Sequence, residues 1–79
     1  MNSTDEILRI YNDRIELLKN EKGLTFRGVA DDVGLSISTM RKTKKHEPIP
    51  NGYSLLVLAD YFDVSIDYLL GRTDERGIK

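Results

Sequence analysis

The chain has 79 residues, with 12 Lys and Arg against 13 Asp and Glu, one His, no Cys and no Trp, for a formal net charge of -1. That length suits one small domain around a single core and leaves no room for a second. The lack of cysteine excludes disulfides, a thiolate nucleophile and Cys-rich zinc sites and fits a reducing compartment, and the longest apolar run, Leu55 to Ala59, is far too short to cross a bilayer.

The amino terminus, MNSTDEI, is acidic and lacks the basic and apolar regions of a signal peptide, so a cytoplasmic location is expected. Ser3 and Glu6 have the spacing of a capping box and open a first helix, on which Leu8, Tyr11, Ile15 and Leu18 form one stripe, with Gly23 as its stop. Thr25 caps a second helix, where Phe26, Val29, Ala30 and Val33 recur at i, i+3, i+4 and i+7, and Gly34 ends it. Phe26 is therefore expected in the core. Gly28 inside this helix costs about 1 kcal/mol relative to Ala.

Ser36 caps a third helix, expected over about Ser36 to Thr43, with Met40 and the turn residue Leu35 facing the core. On its opposite side Ser38, Arg41, Lys42 and Lys45 again fall at i, i+3, i+4 and i+7, a ridge of one hydroxyl and three cations shaped for a DNA groove. Pro48 and Pro50 impose an extended loop, after which Asn51 or Ser54 caps a fourth helix carrying Leu55, Leu58, Ala59 and Phe62. Asp63 and Val64 form a short link. Ser65 caps a fifth helix with Ile66, Leu69 and Leu70, stopped by Gly71. No strand alternation, repeat or low-complexity segment is present, so the expectation is all-α: five helices in a single domain over residues 1–79, with a core over about 5–71 and a charged, frayed tail over 72–79.

The near-neutral total hides an uneven distribution. Residues 1–34 hold five Lys and Arg against seven acids and residues 51–79 hold three against five, whereas residues 35–50 hold four against one. A charge run alone usually marks only a solvated surface. Here the run coincides with the outer face of the second helix of a helix-turn-helix pair, where contact with a groove requires it.

The segments RIELLKNEKGLT and VADDVGLSISTM, then Pro50, then LLVLADYFDVSIDYLLGRTDE, resemble the helix-turn-helix transcriptional regulators of the phage repressor, Cro and XRE family over about residues 14–75. The resemblance rests on the joint pattern of Ala30, Gly34, Ser36, Pro50, Ala59 to Phe62 and Tyr68 to Gly71. It implies a five-helix, lambda-repressor-like DNA-binding domain, a homodimer on paired half-sites of double-stranded operator DNA, and no catalysis. Carried over by position, base reading falls on Ser36, Ile37 and Ser38, with Arg41 and Lys42 as later readers; Lys44 and Lys45, by their charge, are expected on phosphates. For Arg41 and Lys42 a base contact and a plain phosphate contact both remain open. Ile37 can cover a thymine methyl, but its i, i+3 relation to Met40 favours an inward position.

Departures from the family accompany the match. Phe26 stands where members have a phosphate-contacting Gln, leaving Arg27 as the nearest substitute. Lys44-Lys45-His46 replaces Glu-Asn-Gly, and Gly52 replaces a buried Leu, a gap for Tyr53 or Ile49 to fill. Ile10, Leu17 and Val57 lie off the apolar stripes and are expected at the surface, where a joint patch would suit a subunit contact. One His and no Cys supply no nucleophile-base pair and no metal-ligand spacing, so neither an enzyme, a metal, a cofactor nor a small-molecule ligand is expected. The rival is a helix-turn-helix module turned to a protein partner, such as an antitoxin or antirepressor. The lost Gln and acidic total favour that rival, and the cationic run opposes it.

Overall fold

The computed structural model describes residues 3–42 and 47–77 and contains five helices among them: α1 (Thr4–Glu21), α2 (Phe26–Val33), α3 (Ile37–Met40), α4 (Gly52–Phe62) and α5 (Ile66–Leu69). Each begins at a short polar cap in extended conformation, Ser3, Thr25, Ser36, Asn51 and Ser65, whose side-chain oxygen accepts a backbone N–H of the first turn. At α1 the capping box is complete, with the Glu6 carboxylate accepting from the Ser3 N–H. For α4 the cap is Asn51, and Ser54 is the residue whose N–H it receives, at 2.8 Å.

The stripes read from the sequence converge on one core. Tyr11, Ile15 and Leu18 of α1 meet Val29 and Ala30 of α2, Met40 of α3, Leu55, Leu58, Ala59 and Phe62 of α4, and Val64, Tyr68 and Leu69 around α5. Tyr11, Val29, Met40, Leu58 and Leu69 are wholly buried. Burying such side chains is worth about 1.5 to 3 kcal/mol each, which lets helices as short as α3 and α5 persist when neither would form alone.

Three sequence expectations are corrected here. Ile10 and Val57 are half-buried rather than exposed, leaving Leu17 at the surface; a Cβ on Gly71 would stand 2.8 Å from the Ile10 Cγ2, and Gly71 also has a φ of 79°, so that position needs glycine for both space and conformation. The tail is also tied down as far as Arg76. Arg14 donates to the carbonyls of Tyr68 and Thr73 and to the Asp74 carboxylate, Arg76 forks onto Glu21 with two 2.7 Å bonds, and the Ser65 N–H donates to the Arg76 carbonyl at 2.9 Å. Both guanidiniums also lie on the Tyr68 ring, at 4.2 and 5.4 Å. Tyr53, proposed as a filler beside Gly52, is 67% exposed; the half-buried side chain there is Ile49.

Two stability predictions follow from this packing. Truncation after Gly71 is expected to remove about 1 to 3 kcal/mol in urea unfolding, because the nearly buried Arg14 loses two of its acceptors and Glu21 its partner. A truncated chain as stable as the full one would make the strap superfluous. At the other end of the core, the Tyr11 phenol donates to the Met40 carbonyl, and burial pushes its pKa well above the ordinary tyrosine value. Its contribution is whole below about pH 10 and is lost as pH rises from there towards the folded value. Tyr11→Phe should cost about 1 to 3 kcal/mol at neutral pH and flatten the alkaline loss of helicity followed by circular dichroism. A smaller alkaline dependence should remain from Tyr61, whose phenol is pushed up by its 2.6 Å hydrogen bond to Asp32.

Candidate nucleic-acid interface

Small residues set both the start of α2 and the turn from α2 to α3. The Thr25 hydroxyl accepts from the Gly28 N–H at 2.9 Å, and a Cβ at Gly28 would sit 3.2 Å from that same oxygen, so glycine lets the cap close tightly. Gly34 at a φ of 75° reverses the chain, with its N–H and that of Leu35 both donating to the Ala30 carbonyl at 2.9 and 3.1 Å. Ser36 then starts α3, accepting from the Thr39 N–H at 3.1 Å and donating to the Thr39 hydroxyl at 2.7 Å.

The third helix is shorter than its expected span to Thr43. Its last helical bond runs from the Arg41 N–H to Ile37, and Arg41 itself is extended, with φ -112° and ψ 113°. The physical reason lies on α1. Tyr11 takes the Met40 carbonyl, and Asn12 accepts from the Lys42 N–H at 2.9 Å while its amide donates to the Lys42 carbonyl. A continuing helix would need that Lys42 N–H for Ser38. Ile37, Ser38 and Thr39 have modest helix propensity and do not resist.

The predicted residues are therefore arranged differently from one helical ridge. Ser38 is exposed on α3, whereas Arg41 and Lys42 belong to the non-helical segment leaving it; Lys44, Lys45, Thr43 and His46 lie outside the described residues. Ile37 is 38% exposed, which corrects its inward placement: with only one turn of helix, Met40 fills the core and Ile37 stays at the edge. It shares with Arg27, Asp31, Leu35 and Ser38 a shallow depression between α2 and α3. Arg27 is exposed and 3.8 Å from Asp31, a surface pair of little strength. The Ser36 hydroxyl is occupied by its capping role. Phe26 is half-buried rather than fully in the core, and its ring carries the Arg41 guanidinium at 4.4 Å and the Lys19 ammonium at 4.7 Å.

Asn12 and Lys19 were not among the sequence candidates. Asn12 lies thirty positions from the backbone it holds, and its only local signal is a polar amide beside a stripe residue. Among the described residues no cluster of side chains could hold a metal ion, and no helix is long and apolar enough to cross a membrane.

A capped helix, a left-handed glycine turn and a second capped helix, set on a core of three further helices, define a helix-turn-helix domain. Comparison with known proteins agrees. The chain is 32% identical over 66 residues to YobD of Bacillus subtilis, called an uncharacterized HTH-type transcriptional regulator, and 33% identical over 69 residues to RstR of Vibrio cholerae, the cryptic phage CTXphi transcriptional repressor. These matches cover 84% and 85% of this chain but 59% and 57% of the two relatives, so the chain spans little more than half their length. No family model matches, and no solved structure matches significantly. Over most of its length the chain is thus similar to helix-turn-helix transcriptional regulators, and its all-helical fold is compatible with a small domain of that kind. Both relatives are named as regulators and neither as an enzyme, in agreement with the expectation of a non-catalytic protein.

The clamp on Lys42 is testable directly. Asn12→Ala is expected to cost about 1 to 3 kcal/mol and to abolish hydrogen-exchange protection of the Lys42 amide while leaving that of Val29 in place. Unchanged protection at Lys42 would mean that Asn12 does not hold this segment.

Proposed function

We propose that this chain is a sequence-specific, double-stranded DNA-binding regulator of the phage repressor, Cro and XRE branch, which sets α3 in the operator major groove and represses by occluding a promoter. The observation that carries this reading is the surface at the end of the helix-turn-helix. The exposed Ser38 and Ile37 are followed at once by Arg41 and Lys42, in a chain whose other regions carry more acids than bases. Base contacts fall to Ser38, Ile37 and Lys42, with Arg27, Arg41, Lys44 and Lys45 on phosphates, and Ser36 holds the start of the helix that presents them. A homodimer doubles these contacts over two half-sites and supplies the affinity that one such small surface lacks. The working site is the cytoplasm, with no small-molecule ligand required.

Selection of a binding sequence from random duplexes, together with footprinting beside the chain's own gene, tests the reading. Binding to the selected site should weaken steeply with salt, with a slope of about -0.9 per phosphate neutralised, hence several units for a dimer. Lys42→Ala should relax preference at one base pair per half-site by about 1 to 3 kcal/mol, whereas Arg27→Ala should weaken selected and unrelated duplexes alike. A flat salt response with no selected sequence would return the surface to the protein-partner reading.

A further inference from the structure

The six arginines of the chain do not share one fate. Arg9, Arg14, Arg27, Arg72 and Arg76 each stand within 4.0 Å of a carboxylate, belonging to Asp13, Asp74, Asp31, Asp67 and Glu21 respectively. Arg41 alone is matched to no carboxylate among the described residues. Its guanidinium lies instead on the Phe26 ring, where the Lys19 ammonium, equally unmatched among those residues, lies too.

Contact with an aromatic face satisfies part of a cation's charge but uses none of its N–H donors. Two like charges are thus gathered within 5 Å of one uncharged ring, at the junction of the last turn of α1, the first residue of α2 and the first residue beyond α3. With no carboxylate of the described residues beside it, the planar fork of Arg41 matches the paired oxygens of a phosphodiester, and the Lys19 ammonium on the same ring adds a second donor group to that neighbourhood. Resting on the ring also limits the rotamers of both long side chains before binding, which reduces the entropy lost when they engage.

The geometry points to a backbone-phosphate site made by Arg41 and Lys19, with Phe26 as the positioning residue beneath both. This rests on the DNA-binding reading above and adds to it a contact from α1, outside the helix-turn-helix. It gives the phosphate contact of Arg41 a companion in Lys19, and it gives Phe26 a role that its half-buried packing alone does not require.

The test compares the wild-type chain with Phe26→Leu, which keeps apolar cover but removes the aromatic face, Phe26→Trp, which restores a face, and Lys19→Gln. Each is measured on a selected duplex and on an unrelated duplex of equal length across a salt series. Phe26→Leu should weaken both duplexes by about 2- to 5-fold with an unchanged helical spectrum, and Phe26→Trp should recover most of that loss. Lys19→Gln should lower the salt slope by about one unit per subunit. Variants that bind as the wild type does would overturn the phosphate site and leave the DNA reading standing. Should Phe26→Leu not fold, the salt slope of Lys19→Gln decides alone. If the wild type binds no duplex, the DNA reading fails, and titration with inorganic phosphate decides the site: a shift of the Arg41 Nε–H resonance that Phe26→Leu abolishes supports it, and no shift overturns it.

Discussion

The hold of α1 on the backbone of residues 40 to 42 is the constraint on which the rest of this surface depends. Tyr11 reaches the Met40 carbonyl from a wholly buried position, and Asn12 pairs with both the N–H and the carbonyl of Lys42. These bonds end α3 after one turn, hold Met40 in the core and turn Arg41 outwards in extended conformation. A four-residue helix has too few internal bonds to maintain its own orientation. It is fixed from both sides, by the Ser36 cap and the α2 turn at its start and by two consecutive residues of α1 at its end.

The same economy of local devices recurs along the chain. All five helices start on a Ser, Thr or Asn cap, and three glycines with positive φ, Gly23, Gly34 and Gly71, follow helix ends. Asp63, at a φ of 57°, serves the same purpose after α4, where the carbonyls of Ala59 and Asp60 receive its N–H. Short caps and left-handed stops allow tight reversals between α1 and α2, between α2 and α3 and between α4 and α5.

Charge is distributed by function as well as by composition. Most arginines are engaged by acids of the same chain, and two of them, Arg14 and Arg76, turn the tail into a strap from α5 back to α1, using Tyr68 as the surface on which both lie. Glu21 is held below the usual carboxylate range by the Arg76 guanidinium, as its forked hydrogen bonds require. With these cations satisfied internally, Arg41, lying on Phe26 just beyond α3, is the arginine left without a carboxylate among the described residues.

The number of helices, their caps and most core positions were legible from residues alone, because caps act within three residues and amphipathic stripes repeat every turn. Leu8, Tyr11, Ile15, Leu18, Leu55, Leu58, Ala59 and Phe62 are all buried as their spacing required. Where periodicity was extended without knowledge of what lay opposite, it misled. The ridge from Ser38 to Lys45 presumed a helix that Asn12 ends at Met40, and Ile37 was drawn inwards by a spacing that one turn of helix cannot enforce. The tail looked free because its partners, Arg14 and Glu21, lie more than fifty positions away. Sequence alone determined which segments become helices and which faces are apolar, since those depend on neighbours along the chain. Only the tertiary structure decided where the third helix stops, which cations stay unmatched and what covers Phe26, because each depends on a hydrogen bond or ring contact between residues distant in the chain.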